Sequence, residues 1–190
     1  MYCNNSVKIL DNFSALDYTF SAMLLTVLSK IFPVHTVYAH CDIPCGIYDP
    51  YPAQIAAHTV IRMTQLLQDA HKNDKDNEDD WMKLKHDVAR IVHVKEEHGE
   101  RVENEVGTLE NDYFKPEHLK ANPELEELMK KAVKASVKAR QEINMEAAQE
   151  CLDAVMQIAE IFWKTKGYTS ARIPSPYPHG GELVVPVKKA

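Results

Sequence analysis

The chain is poor in several features that mark common classes of protein. Its 190 residues include only 4 cysteines, Cys3, Cys41, Cys45 and Cys151, and their spacing does not match the disulfide framework of a secreted protein. No apolar run reaches the length of about 18 residues that a membrane-spanning helix needs. The 22 basic and 28 acidic residues leave a net charge of -6, and no basic stripe with interleaved aromatic residues occurs. We therefore expect neither a membrane protein nor a nucleic-acid binder. We also expect the thiols to be reduced or to bind a metal.

Hydrophobic residues make up 45% of the chain, which is enough to build one compact domain with a real core. Four segments repeat apolar residues at alternating steps of three and four, the period of an amphipathic helix. Helices are predicted from after Pro52 to about residue 71, from about residue 81 to 109, from an Asn122 cap followed by Pro123, and from about residue 145 to a stop at Gly167. No strand alternation interrupts them, so we predict an all-α fold, an antiparallel four-helix bundle.

The segments outside the predicted helices are polar or irregular. The charged stretch from residue 72 to 80 is predicted to be a solvated loop, and residues 111 to 116 a polar and aromatic corner. Residues 167 to 190 carry no helical period, and the three apolar residues at 183 to 185 are too few to indicate a sheet. We expect an extended or disordered tail there.

Residues 1 to 39 are predicted to be a removable leader. Residues 22 to 28 form a short apolar core, and residues 37 to 39 offer a small-residue cleavage site. A secretory signal begins with a positively charged region, and this chain lacks one. Residues 1 to 19 contain one basic residue, Lys8, and two acidic residues. A leader of another kind is therefore favoured. We predict a cytoplasmic location, with an organelle or export as alternatives.

The densest chemistry lies in residues 40 to 50, whose sequence is HCDIPCGIYDP. Its proline and glycine residues prevent a helix, so something other than a backbone ladder must hold this segment. The domain division that follows is a leader to residue 39, a metal-binding hook over 40 to 52, a helical bundle over 53 to 166, and a tail over 167 to 190. The predicted fold is then a four-helix bundle with an N-terminal metal-binding hook.

The spacing of Cys41 and Cys45 disfavours ordinary structural zinc, because C-x3-C has no second pair to complete a tetrahedral site. If the chain were cut after Ala39, the amine of His40, the amide nitrogen of Cys41 and the two thiolates could lie in one plane. Such a square-planar set suits Ni(II) or Cu(II), with the His40 imidazole as an axial nitrogen.

Residues 40 to 48 resemble the nickel hook of the nickel-containing superoxide dismutases, H-C-x-x-P-C-G-x-Y. Residues 112 to 116 (DYFKP) and 161 to 166 (IFWKTK) are similar to two further segments of that family, so the resemblance covers residues 40 to 166. The leader resembles the family's propeptide. The resemblance implies a homohexamer of four-helix bundles and a processing protease that cleaves before His40.

The resemblance also implies the roles of individual residues. One nickel ion per subunit would be bound by His40, Cys41 and Cys45, with Pro44 fixing the turn. Tyr48 would stand over the open face of the metal, with Tyr113 hydrogen-bonded behind it. The implied reaction converts superoxide to dioxygen and hydrogen peroxide by Ni(III)/Ni(II) cycling.

The residues that would support the metal site follow the family pattern less closely than the ligands do. Lys115, beside Tyr113, is a candidate to attract the anionic substrate. Where many family members carry a glutamate and an arginine that hold the axial imidazole, this chain has Ala56 and His98. His98 is therefore a candidate replacement, although a lone histidine on an apolar helical face is more often a satisfied core group.

Two alternatives to the enzyme are open at this point. One is a secreted helical protein in which Cys41 and Cys45 form a strained local disulfide. The other is a nickel-binding protein without turnover, which would not need Tyr48.

Overall fold

The computed structural model describes residues 45–72 and 78–188. Its elements, in chain order, are helices α1 (Tyr51–Lys72) and α2 (Glu78–Thr108), a π-helical turn (Leu109–Tyr113), helices α3 (Pro116–Ala121), α4 (Leu125–Gln141) and α5 (Met145–Thr165), and strands β1 (Thr169–Pro174) and β2 (Glu182–Val187). Within these ranges no helix is both long and apolar enough to cross a lipid bilayer.

The four long helices, α1, α2, α4 and α5, pack into the predicted antiparallel bundle, which confirms the fold class. Helix α5 is the most buried of them, because its apolar residues face α4, α1 and the strands. The apolar positions that the helical period indicates lie in one core, which includes Val60, Val102, Ala132 and Phe162. Burial of this shared face supplies most of the stability of such helices.

A lysine caps α4 at its carboxyl end. The side chain of Lys95 on α2 is 2% exposed, and its Nζ donates to the carbonyl oxygens of Ala139, Arg140 and Glu142 at 2.5, 2.7 and 2.8 Å. The last carbonyls of a helix have no partner within the helix, and a cation there also favours the negative end of the helix dipole. Lys95 is one of the two polar residues on the otherwise apolar face of the second predicted helix, and this contact explains it.

Helices α2 and α4 cross closely at a glycine. A Cβ built on Gly99 would lie 2.7 Å from the Cβ of Arg140, and Ser136 Oγ donates to the Gly99 carbonyl at 2.9 Å. The guanidinium of Arg140 then binds the carboxylates of Glu96 and Glu103 on α2. The absence of a side chain at residue 99 therefore permits the hydrogen bond and the ion pairs that join the two helices.

Two predicted boundaries are wrong. Helix α2 begins at Glu78 and not at residue 81, so residues 78 to 80 of the predicted loop are helical, while residues 73 to 77 lie outside the described part. Asn122 does not cap the following helix: it ends the short α3, which the sequence analysis missed, and its Nδ2 donates to the His118 carbonyl at 3.0 Å. Pro116 starts α3 and Pro123 separates it from α4, so the proline pair brackets an additional helix.

The tail forms an antiparallel hairpin, in which Thr169 pairs with Val187 and Pro174 with Glu182. The expectation that these residues form no sheet is wrong. Leu183 and Val184 are 3% and 1% exposed, because β2 packs on the bundle. Three apolar residues suffice when a preformed helical surface covers them.

Candidate metal centre

The described part of the chain contains some members of the predicted site. His40, Cys41 and Pro44, together with the whole predicted leader, lie outside the described residues. Cys45, Tyr48, His98, Tyr113 and Lys115 lie within them. Among the described residues, no three histidine, cysteine or acidic side chains are placed to hold a metal. Of the predicted ligand set, the structure thus describes the second thiolate.

Cys45 is an exposed thiol in a tight turn. The backbone N–H of Ile47 donates to its sulfur at 3.4 Å, and Gly46 between them has a φ of 71°, which only glycine adopts without strain. The sulfur in turn lies 3.9 Å from the carbonyl oxygen of Ile47. An exposed cysteine in a turn is a residue that can bind a soft or borderline metal such as nickel through its thiolate.

The turn runs directly into α1. Asp49 Oδ1 accepts the backbone N–H of Tyr51 at 2.7 Å, and the N–H of Gln54 donates to the carbonyl of Pro50 at 3.3 Å. An aspartate that accepts from the residue two positions later is a common way to start a helix. The exit of the hook is therefore fixed to the first turn of α1.

Tyr48 lies against Tyr113, with ring centroids 5.5 Å apart and planes tilted by 50°. Both rings contact the bundle core. Tyr113 also packs on Phe162 of α5, at a centroid distance of 4.5 Å. The structure thus brings the two tyrosines of the predicted site together, from segments that are 65 residues apart in sequence by subtraction of their numbers.

The hydroxyl of Tyr113 is 2.7 Å from Oγ1 of Thr165. Thr165 in turn donates to the carbonyl of Phe162 at 2.7 Å. Because a threonine hydroxyl has one hydrogen and a carbonyl can only accept, Tyr113 must be the donor to Thr165. The phenolic oxygen of Tyr113 then keeps its lone pairs to accept a further hydrogen bond.

A π-helical turn places Tyr113. The N–H of Phe114 bonds to the carbonyl of Leu109 at 2.8 Å, which closes the wider turn at the end of α2. Such turns insert an additional residue into a helix and are frequent at functional sites. Here the turn directs Tyr113 onto α5, and the helical period of the sequence gives no sign of it.

Two cationic or titratable neighbours of Tyr113 are absent from the sequence prediction. The Nζ of Lys166 lies 4.9 Å from the centre of the Tyr113 ring, and the His118 ring stacks on it at 5.6 Å. The spacing of Phe162 and Lys166, one helical turn apart, was the available signal. Lysine beside an aromatic face is a favourable cation–π arrangement.

The two supporting candidates have local contacts. Lys115 is exposed, and its Nζ donates to the carbonyl of Asp112 at 3.0 Å, next to Tyr113. His98 is half-buried, and its Nδ1 is 2.9 Å from the carbonyl of Val94 on the same helix. Among the described residues, this is the hydrogen bond that His98 makes. Its orienting role for the axial imidazole stays a prediction.

The remaining described thiol differs from Cys45. Cys151 is fully buried in α5, and burial raises the pKa of its thiol to about 12. A neutral, enclosed thiol neither binds a metal nor reacts readily. Cys151 lies beside the apolar face of the fourth predicted helix, and its burial is the usual outcome at such a position.

Comparison with known proteins points to one family. The family model described as nickel-containing superoxide dismutase matches residues 35–166. The superoxide dismutases [Ni] of Streptomyces coelicolor and Streptomyces seoulensis are each 37% identical over 141 residues, which cover 74% of this chain and 98% of theirs. The native nickel superoxide dismutase structure at 1.30 Å aligns with a TM-score of 0.56 and 35% identity, over 67% of this chain and 99% of that one.

A second solved structure, of a nickel-containing superoxide dismutase with ligation corresponding to the oxidized state, aligns with a TM-score of 0.57 and 34% identity over the same shares of the two chains. The matched region begins just before the hook and ends at residue 166, before the hairpin. The resemblance predicted from the sequence is confirmed. The chain belongs to the nickel-containing superoxide dismutase family.

Proposed function

We propose that this protein is a superoxide dismutase that uses nickel bound at the hook. The observation that carries the proposal is the exposed Cys45 thiol in the turn that leads to Tyr48, whose ring packs against Tyr113, inside a chain of this family. The overall reaction takes two superoxide ions and two protons and gives one dioxygen and one hydrogen peroxide. Such a reaction needs a one-electron redox centre and a source of protons.

The ligands would be the amine and imidazole of His40, the amide nitrogen and thiolate of Cys41, and the thiolate of Cys45. The amine exists only after cleavage before His40, because in the intact chain that nitrogen belongs to a peptide bond. When bound, nickel supplies one-electron chemistry through Ni(III) and Ni(II). Two thiolates and an amide nitrogen are strong donors that favour the higher oxidation state.

The tyrosines supply and hold protons at the open side of the site. Tyr113 donates to Thr165, so its oxygen can accept a proton or a hydrogen bond from Tyr48 or from a water molecule. Proton transfer by positioned hydroxyl groups is an ordinary form of general acid catalysis. Thr165, which is itself fixed by the Phe162 carbonyl, holds the Tyr113 hydroxyl in one orientation.

Local positive charge favours an anionic substrate although the chain is acidic overall. Lys115 and Lys166 lie next to Tyr113 in sequence and in space, respectively, within a protein of net charge -6. A local cation raises the concentration of a small anion at the site, and salt screens this effect. The homohexamer, the processing protease and the cytoplasmic location are further parts of the proposal, and they stay predictions.

Nickel content and superoxide decay test the proposal together. The chain that begins at His40 should bind about one nickel ion and accelerate superoxide decay, and the chain with residues 1 to 39 attached should not. Cys45→Ser should abolish both properties, whereas Cys151→Ser should preserve them because that sulfur is buried in α5. Activity in a chain whose amino terminus is shown to be uncleaved would contradict the ligand assignment.

Tyr48→Phe separates the enzyme from the two alternatives. The variant should keep its nickel and lose activity by about tenfold or more, since only a proton-handling hydroxyl is removed. A nickel-binding protein without turnover would show no catalytic decay in either form. A secreted protein with a disulfide between Cys41 and Cys45 would contain no nickel and two fewer thiols.

A further inference from the structure

The hairpin touches the first turns of α1, which is the helix that follows the hook. Gln54 is fully buried, with an exposed fraction of 0%. Its Nε2 donates to the carbonyl of Val184 at 3.1 Å, and its Oε1 accepts the N–H of Val184 at 2.7 Å. One glutamine amide thus satisfies both backbone groups of a residue in β2.

This contact replaces a neighbouring strand. The N–H and C=O of one residue in a strand point to the same side, so those of Val184 point away from its ladder partner Arg172. An uncovered strand edge would leave buried polar groups without partners, which is costly. Gln54 covers that edge, and it does so from the first turn of α1.

A second contact lies one helical turn further along α1. Nε2 of His58 is 2.9 Å from the carbonyl of Glu182, to which it must donate. Four residues of helix rise by about 6.0 Å, and two residues of strand by about 6.6 Å. The distance along α1 from Gln54 to His58 therefore matches the distance along β2 from Val184 to Glu182. The two side chains can bond to these two backbone positions at the same time.

The turn of the hairpin adds two contacts. Gly181 leaves room for the imidazole, because a Cβ there would lie 3.1 Å from Cε1 of His58. Burial raises the pKa of the Tyr177 hydroxyl, and the neighbouring hydroxyl of Tyr51 adds to this effect. Tyr51 is the first residue of α1, so the hairpin contacts this helix from its first residue to His58.

The chain of contacts continues into the hook. The backbone N–H of Gln54 donates to the carbonyl of Pro50, a buried residue near the end of the hook. Gln54 is thus bonded through its backbone to the hook's last residues and through its side chain to Val184. No other described residue is hydrogen bonded to both Pro50 and Val184.

We propose that the C-terminal hairpin is a clasp that positions the metal hook, with Gln54 as the positioning residue. The inference rests on the proposed function for its meaning, since it assigns the hairpin to the nickel site. It concerns a segment that lies beyond the region matched by the family model, which ends at residue 166. The hairpin therefore adds a support that the matched region does not contain.

Amide hydrogen exchange on the metal-free full chain tests the clasp without reference to activity. Gln54→Leu removes both hydrogen bonds to Val184, because it replaces the polar amide with an apolar side chain of similar size. We expect exchange at Gly46, Ile47 and Tyr48 to rise about tenfold, while α4 and α5 stay protected. Arg172→Gln is the matched control, because it removes the 2.7 Å bond from β1 to Glu160 on α5 and leaves the α1 contacts intact.

Nickel release to a chelator from the chain that begins at His40 provides the second measurement. It should be about tenfold faster in Gln54→Leu than in the parent or in Arg172→Gln. If Gln54→Leu unfolds the whole bundle, Gly181→Ala decides instead, because it loosens the hairpin turn at His58 and leaves the core unchanged.

Unchanged exchange at the hook, together with increased exchange in β2, would overturn the proposal. A parent protein that binds no nickel would refute the proposed function, whereas the exchange result would still report whether the hairpin restrains residues 46 to 48. The two failures are therefore distinguishable.

Discussion

Tyr113 donates its phenolic hydrogen to Thr165, across the junction between the π-helical turn and the end of α5. The direction follows from Thr165, whose own hydrogen is bonded to the Phe162 carbonyl. A tyrosine fixed as a donor on one side presents an acceptor on the other. The orientation of the Tyr113 hydroxyl is therefore set by a threonine that is not itself in the predicted site.

Thr165→Val keeps the shape of the side chain and removes the acceptor. We expect superoxide decay to slow by about fivefold, which corresponds to a hydrogen bond of about 1 kcal/mol, with nickel content unchanged. Stopped-flow or pulse-radiolysis measurements at several pH values provide the rate. Thr165→Ser should restore it because the hydroxyl is present, and an equal loss in both variants would count against this role.

The histidine pair on the hairpin predicts a response to acid. His58 must donate from Nε2 to the Glu182 carbonyl. In a neutral His58 ring Nδ1 is then an acceptor, so Nε2 of His179, 2.7 Å away, is the donor between the two rings. Burial lowers the pKa of both imidazoles, and Arg62 adds to the effect at His179. Nδ1 of His179 is buried without a partner among the described residues. A proton on either ring is therefore disfavoured in the folded protein.

Stability should accordingly fall in acid. The unfolded chain takes up protons near the ordinary histidine pKa of 6.5, while the folded chain takes them up only below it. The contribution is complete above pH 6.5 and is lost as the pH falls toward the lowered folded pKa values, with a slope of at most about 1.4 kcal/mol per pH unit for each ring. Urea unfolding between pH 7.5 and 5.0 measures it.

His179→Gln supplies the control for this pH dependence. Glutamine retains an N–H donor for His58 but does not titrate, so the decrease in stability below pH 6.5 should become shallower. His93→Gln, at an exposed position on α2, should leave the slope as it is in the parent. Identical slopes in all three proteins would show that the pair does not carry the effect.

Lys95→Met removes the cap of α4. Three carbonyl oxygens lose their donor at a buried position, and we expect a loss of about 3 kcal/mol in the free energy of unfolding. Urea or thermal unfolding measures it. Lys134→Met, an exposed position on α4, should change the free energy by less than about 0.5 kcal/mol. Similar effects of the two substitutions would contradict the capping role.

Two glycines of α2 predict opposite effects of the same substitution. Gly99→Ala places a Cβ 2.7 Å from that of Arg140, and we expect a loss of about 2 kcal/mol because the two helices must separate. At Gly107 the nearest atom is Asn111 Nδ2 at 3.9 Å, so alanine should stabilise the helix by up to about 1 kcal/mol. Thermal unfolding of both variants measures the difference, and a gain from Gly99→Ala would refute the close crossing.

The features that the sequence predicted correctly depend on local patterns. Apolar positions such as Val60 and Val155 recur with the period of a helix, and each amphipathic helix needs a partner, so the bundle follows. The hook motif carried the family resemblance, which the comparisons confirm, because its histidine, cysteines, glycine and tyrosine lie within nine consecutive residues. The burial of Cys151 followed from its place beside the apolar face of the fourth helix.

Other features depend on partners that are distant in sequence. The sequence did not predict the hairpin, because Val184 is stabilised by Gln54, 130 residues away. The hairpin residues have no strand pattern of their own. Thr165 and Lys166 contact Tyr113 because the π-helical turn places Tyr113 against α5. In the sequence, Lys95 is a polar interruption of an apolar helical face. Only the folded structure shows that it binds three carbonyls at the end of α4. The sequence by itself determined the helices and the family resemblance, whereas the tertiary structure decided which distant side chains bond to one another, because long-range hydrogen bonds leave no local period.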